Sequence, residues 1–248
     1  MLLLNWSRMP VSLDYWLHAL RLIAIAYLLG SIPTGYLLVR IFRRQDIRTL
    51  GSGNIGATNV LRSGAKALGA VTFVLDVAKG ALAVWLCMRM AEIGFPIAPM
   101  HAAALAAFCA VLGHMFPIWL DLRGGKGVAT AFGVFVMLAP KAALMSLGVF
   151  VLVFAISRFV SLASILGCIV FPIAAWLMTP TLAGARRPMW VAHMPVVVGV
   201  EILIPLFVIL KHRQNIGRLM AGTEYRFGAR KAAAENGPDA GPNADAQP

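Results

Sequence analysis

Apolar residues run along this chain in long blocks, roughly 17–39, 68–90, 99–120, 127–157, 160–179 and 189–210. Each except the fourth has about the ~20 residues that a helix needs to cross a bilayer. The fourth is too long for one span. Pro140 and Lys141 interrupt it, and a proline followed by a lysine inside an apolar segment predicts a tight turn between two helices. The placement of Lys and Arg decides between six and seven spans. With the fourth block split, fifteen basic residues fall on one side (Arg40 to Lys66, then Arg123, Lys126 and Arg158, then Lys211 to Lys231), against six on the other, with Lys79 left inside a span. Without the split, the six basic residues after the last block move outward and the bias disappears. Arg186 and Arg187 oppose the bias from an outer loop, but orientation follows the sum. The first block is too long for a signal h-region and has no basic segment before it, so it is expected to be a retained span.

The expected fold is therefore all-α: a polytopic integral membrane protein with about seven transmembrane helices, its N-terminus outside and its C-terminus cytoplasmic. Residues 1–227 form one transmembrane domain. The stretch 228–248, rich in Ala, Gly, Pro, Asn and Asp with little to bury, is expected to be a disordered tail. Composition agrees: 60% of the 248 residues are hydrophobic, 13% are charged and the mean hydropathy is +0.79, which places the chain among membrane proteins. The net charge of +12 suits a cytoplasmic membrane surface and anionic substrates. It does not indicate nucleic acid, because the basic residues flank apolar spans rather than line one polar face. Cys87, Cys109 and Cys168 lie inside apolar runs without metal-site spacing and are expected to be packing residues.

Three polar clusters share the predicted cytoplasmic face: GSGNIGATNVLR at 51–62, GGKGVAT at 124–130 and HRQNIGRLMAGTE at 212–224. Each combines glycines, which let backbone N–H groups approach a ligand closely, with hydroxyl, amide and cationic side chains, the set an oxyanion requires. From Gly127 to Ala139 a helix rises only ~20 Å, against a hydrocarbon core of ~30 Å. The glycine turn must then dip below the surface, placing the N-terminus of the fourth helix and its free N–H groups where a phosphate could sit. The turn is not a Walker A loop, because Lys126 is followed by Gly127 rather than Ser or Thr. Asp76 and Lys79, three residues apart in the second span, are expected to neutralise each other inside the bundle.

These motifs, with the GSIPTG of the first span, GHMFPIWLDLRGGKGVAT and a short VSLAS at 160–164, resemble those of the membrane-bound acyl-phosphate:glycerol-3-phosphate acyltransferases of bacterial phospholipid synthesis, over nearly the whole chain. The resemblance implies a seven-helix enzyme of the bacterial inner membrane whose active site faces the cytoplasm. It implies transfer of a fatty acyl group from acyl phosphate to the sn-1 hydroxyl of glycerol 3-phosphate, giving lysophosphatidic acid and inorganic phosphate. Membrane lipids surround such an enzyme, and an upstream enzyme that forms acyl phosphate is an implied partner. Carried over by motif, the polar site falls on Ser52, Asn54 and Arg62, on His114, Lys126 and Thr130, on Ser161, and on His212, Asn215 and Glu224. The chain departs from the pattern at Leu122, where the family has an aromatic.

Acyl phosphate carries a good leaving group, so the enzyme's task is to position two phosphorylated substrates and to stabilise developing negative charge. Lys126 and Arg62, with the backbone N–H groups of Gly124, Gly125 and Gly127, are the expected phosphate clamps. No Ser-His-Asp, Cys-His or H-x4-D arrangement is present. The donor's own phosphate is thus expected to take the proton of the attacking hydroxyl, with His212 and Asn215 orienting that hydroxyl and Ser52 donating to the acyl phosphate. His212 as general base is the rival assignment. A transporter or flippase for a phosphorylated solute is the alternative function, but no inverted repeat is visible and the polar clusters share one face. No cofactor is expected, and no metal, since the site's residues are donors and cations with few carboxylates to hold a divalent ion. Acyl transfer should accordingly persist in EDTA; loss that Mg2+ restores would contradict this.

Overall fold

The computed structural model describes residues 13–94, 96–178 and 194–228. The Arg186–Arg187 pair and the expected tail beyond Gly228 lie outside them. The regular structure of the described residues is all helical, in the order α1 (Leu13–Ser31), α2 (Thr34–Arg43), α3 (Ala57–Arg62), α4 (Lys66–Glu92), α5 (Pro99–Met115), α6 (Val128–Leu138), α7 (Pro140–Ser157), α8 (Val160–Met178), α9 (Met194–Lys211) and α10 (Arg213–Met220). Five segments are long and apolar enough to cross a membrane, and six if the bent pair α9 and α10 counts as one. α6, with 11 residues, is shorter. The long fourth block is divided as its proline predicts, with α6 ending at Leu138 and Pro140 opening α7. Proline fits the first turn of a helix, where its missing N–H has no partner to lose.

The helices pack mainly through small residues. A Cβ at Gly30 would overlap the Ala110 carbonyl and one at Gly113 the Tyr27 carbonyl, so α1 and α5 meet backbone to backbone. Gly80 and Gly133 seat α4 against α6 in the same way, against Thr130 and Val77. Such close approach supplies dispersion contacts where lipid offers no hydrophobic driving force between helices. α7 leans on α8, and α9 on α5 and α8. Around these contacts lies an alanine-rich core with the stacked pair Phe135 and Phe171, ring centroids 3.6 Å apart.

The first apolar block is broken within its SIPTG stretch. Pro33 has no N–H, and the chain leaves helical geometry between Ser31 and Thr34. The Ile32 carbonyl accepts a hydrogen bond from Lys79 Nζ at 2.8 Å. Lys79 pairs at 2.8 Å with Asp76, as the i,i+3 spacing predicts, and Asp76 accepts the Thr34 hydroxyl at 2.6 Å. Both charged side chains are buried, so the pair also ties α4 to the break. Lys79→Met would leave a buried carboxylate without its cation, a change that costs about 3–5 kcal/mol. The thermal midpoint in detergent should fall by several degrees, and an unchanged midpoint would show that the pair does not hold the break.

Candidate active site

The first polar cluster is shaped by one side chain that sequence reasoning passed over. Asn59, buried in α3, donates through Nδ2 to the carbonyls of Leu50 (2.9 Å) and Asn54 (2.8 Å) and more distantly to Ile47 (3.3 Å). Its Oδ1 accepts the Ser52 N–H at 2.8 Å. A single amide thus satisfies backbone groups along a loop that makes no regular structure and whose reversal uses Gly51 and Gly53 at φ 58° and 71°. Asn54 Oδ1 accepts the Gly56 N–H at the start of α3. The loop is thereby held with Ser52 and Asn54 on the wall of a cavity. Arg62, in the last turn of α3, lies over the Tyr225 ring at 3.8 Å, and its Nε is buried without a hydrogen-bond partner among the described residues. Burial lowers its pKa from the ordinary arginine value, but a guanidinium remains charged. Among the described residues it makes no ion pair, and Glu224 attracts it only from a distance.

The second cluster corrects the expected use of its glycines. The Gly124 N–H donates to the Met115 carbonyl (3.2 Å) and the Gly125 N–H to the His114 carbonyl (3.1 Å), closing the end of α5. Neither residue lines the cavity, so these two amides belong to the fold and are not free for a phosphate. Gly127 adopts φ 84° as the residue before α6, a conformation that favours glycine. It lines the cavity with Lys126, Val128 and Ala129. The N-terminus of α6, with its unpaired N–H groups, therefore meets the cavity. Thr130 does not: it is fully buried on the face of α6 that packs against Gly80, and its hydroxyl has no hydrogen-bond partner among the described residues. Leu122, at φ 60° and exposed, is also absent from the cavity wall.

Lys126 donates to Asn215 Oδ1. Its pKa is lowered from 10.5 to about 8, first by burial and then by the positive charges of Arg218 and Arg62, against the attraction of Glu224. Asn215 Nδ2 in turn donates to Glu224 (2.6 Å), which also accepts from Ser161 (2.9 Å) and Arg218 Nε (2.7 Å). Burial would raise the Glu224 pKa, but these bonds hold it below the usual carboxylate range. Glu224 and Ser161 thus organise Asn215 and Lys126. His212, at the bend between α9 and α10, donates from Nδ1 to the Val208 carbonyl at 2.8 Å. Its pKa is lowered to about 4 by burial and by the nearby Lys126 charge. The ring is neutral near pH 7, with Nε2 as an acceptor.

These clusters share one cavity of about 160 Å3, lined by Ser52, Asn54, Arg62, Lys126, Gly127, Ser161, His212, Asn215 and Glu224 and reaching Asp76 and His114. Sequence reasoning missed Asn59, Arg218 and Tyr225. The first two lie inside the quoted motifs, and only the fold shows what they touch. Among the described residues no group of three His, Cys, Asp or Glu side chains lies together. A bundle of membrane-length helices carrying a cation-lined cavity, with the Arg62 Nε buried and unpartnered among the described residues, defines a membrane enzyme for a phosphorylated substrate.

Comparison with known proteins agrees. The family described as Glycerol-3-phosphate acyltransferase matches residues 20–222. Among the most similar relatives, Glycerol-3-phosphate acyltransferase of Thermosynechococcus vestitus is 46% identical over 210 residues, 83% of this chain and 93% of the relative. That of Myxococcus xanthus is 46% identical over 207 residues, 83% and 98% of the two chains. The structure is also similar to two crystal structures of PlsY, an integral membrane glycerol 3-phosphate acyltransferase. The glycerol 3-phosphate form has a TM-score of 0.71 and 37% identity over 85% of this chain and 96% of that one. The lysophosphatidic acid form has 0.69 and 36%, over 85% and 95%. The chain belongs to the glycerol-3-phosphate acyltransferase family.

The lowered Lys126 pKa gives the site a pH dependence. Anion binding needs the ammonium form, so affinity for inorganic phosphate should be highest below about 8 and weaken toward tenfold per pH unit above it. Titration calorimetry in detergent from pH 7 to 9.5 would show this, and Lys126→Arg, charged throughout, should remove the alkaline loss. Constant wild-type affinity across that range would contradict the assignment.

Proposed function

We propose that the acyl donor of this enzyme is acyl phosphate, and that its active site, built from residues 1–227 as one membrane domain, faces the cytoplasm of a bacterial inner membrane. The protein is an acyltransferase that acylates glycerol 3-phosphate to lysophosphatidic acid. The observation that carries the donor reading is the joining of two environments. The polar cavity shares Phe73, Val128, Phe150 and Ser164 with an apolar groove of about 100 Å3 that runs on to Phe135 and Phe171. A phosphate in the cavity and an acyl chain entering the groove describe one molecule bearing both groups.

Arg62 and Lys126 repel each other across the cavity, and an anion between them relieves that repulsion. With the α6 N-terminus they hold the substrate phosphates. Ser52, whose hydroxyl makes no hydrogen bond within the described residues, donates to the acyl phosphate, and Asn54 lines the same wall. The C1 hydroxyl oxygen of glycerol 3-phosphate attacks the acyl carbonyl carbon, the bond from that carbon to the phosphate oxygen breaks, and the hydroxyl proton ends on the departing phosphate. His212, with a pKa near 4, is poorly matched to remove a proton at neutral pH. It orients the hydroxyl by accepting its hydrogen bond, while Asn215 orients Lys126.

Seven spans fit this orientation, with the short α6 crossing as the fourth from a turn below the cytoplasmic surface. Its 11 residues rise only ~16 Å. The Lys and Arg bias supports an N-terminus outside and a C-terminus in the cytoplasm, where an enzyme that forms acyl phosphate could deliver its product. Purified protein in detergent should make lysophosphatidic acid from glycerol 3-phosphate and palmitoyl phosphate and little from palmitoyl-CoA. Lys126→Ala should lose about 30- to 1,000-fold in turnover, as removal of a charge-stabilising donor does. Equal use of the CoA donor would overturn the acyl-phosphate reading. Unmodified passage of labelled glycerol 3-phosphate into sealed vesicles would indicate a transporter.

A further inference from the structure

The turn that carries Lys126 rests on an imidazole that the transfer chemistry does not use. His114 lies buried in the last turn of α5, and its carbonyl accepts the Gly125 N–H at 3.1 Å. Its ring occupies the space a side chain at Gly125 would need: a Cβ there would overlap Nε2, with Cε1 and Cδ2 close behind. From the other side, Asp76 Oδ1 stands 3.6 Å from Nδ1, and Asp76 is fixed by Thr34 and Lys79. The ring is thus confined between a carboxylate of α4 and the backbone of the glycine turn. Gly125, unlike Gly127, does not have a positive φ. Its backbone could therefore carry alanine without strain, and the imidazole is what forbids a side chain there.

We infer that His114 is a positioning residue: its ring is the seat on which the Gly124–Gly127 turn lands, and that seat sets the point from which Lys126 reaches the substrate phosphate. The inference rests on the phosphate-clamp role proposed above for Lys126. The chain of contact is short. Asp76 backs the ring, the ring backs Gly125, and Lys126 is the next residue. Bonds from Gly124 to Met115 and from Lys211 Nζ to the Met115 carbonyl (3.0 Å) fix the neighbouring end of α5. The ring is the part of the seat that lies directly under Gly125, the residue before Lys126. A misplacement of about 1 Å in a positioning element can cost on the order of 100-fold in rate, so a small void under Gly125 should be felt at Lys126.

The test is a steric suppression cycle with glycerol 3-phosphate and palmitoyl phosphate. Gly125→Ala should lower kcat/KM by about 100-fold, because the methyl pushes the turn off the ring. His114→Ala should cost less, mostly as a raised KM for glycerol 3-phosphate. In the double variant the methyl fills space vacated by the ring, so activity should recover to within a few-fold of His114→Ala alone. A histidine with a merely structural role would give no such recovery. If His114→Ala does not fold, His114→Asn, smaller but polar, takes its place in the cycle. Losses that simply multiply in the double variant would overturn the inference, as would a double variant no better than Gly125→Ala, the result expected if the ring itself contacts substrate. Should the wild-type protein fail to use palmitoyl phosphate, the donor reading falls. The same four proteins titrated with inorganic phosphate would then still decide the seat, by recovery or loss of binding in the double variant.

Discussion

A backbone that leaves helical geometry within a bilayer has no water to satisfy its polar groups, so protein must do so. That constraint organises this molecule. At the Pro33 break, Lys79 takes the Ile32 carbonyl and Asp76 takes the Thr34 hydroxyl. Beyond α5, the carbonyls of His114, Met115 and Phe116 are met by Gly125, by Gly124 with Lys211, and by the Tyr27 hydroxyl (2.7 Å). At the α9–α10 bend, His212 returns a bond to Val208. Each interruption therefore brings polar side chains with it. Asp76, His114 and His212, which serve these breaks, all reach the same cavity.

Charge then finishes what the breaks begin. Glu224 gathers Ser161, Asn215 and Arg218, and Asn215 passes that order to Lys126. Arg62 is left outside this network, braced by the Tyr225 ring. The segment after α10 is strapped down by the Phe227 N–H on the Arg158 carbonyl (2.8 Å) and by the Phe227 ring against Phe154. Its sequence sets both Glu224 and Tyr225 in place. The result is a pocket whose Glu224 network is internally satisfied and whose Arg62 and Lys126 side chains line the cavity.

Much of this was legible in the chain itself. The apolar blocks located most helices to within a few residues, and Pro140 divided the fourth because proline lacks an N–H wherever it occurs. Glycine, asparagine and basic residues marked the three clusters that the fold brings together. What the sequence could not convey is partnership across elements. Gly30, Ser31, Pro33 and Thr34 mark a turn inside the first apolar block, but nothing near them says that Lys79 will reach the Ile32 carbonyl there. Gly124 and Gly125 have the composition of a phosphate cradle, yet their amides close α5, since the Met115 and His114 carbonyls lie within reach. Asn59 is one amide among several in its motif, and only its four backbone contacts show what it does.

The central claim is that Arg62 and Lys126, brought from distant parts of the chain, grip the single phosphate of glycerol 3-phosphate between them. Isothermal titration of glycerol 3-phosphate into wild type, Arg62→Ala, Lys126→Ala and the double variant at pH 7 tests it directly. The account predicts that each single change weakens binding at least tenfold, the loss of one charge-assisted contact. It also predicts that the double variant loses clearly less than the product of the two, because both cations act on the same group. Wild-type affinity in Arg62→Ala, or independent losses that multiply, would contradict it.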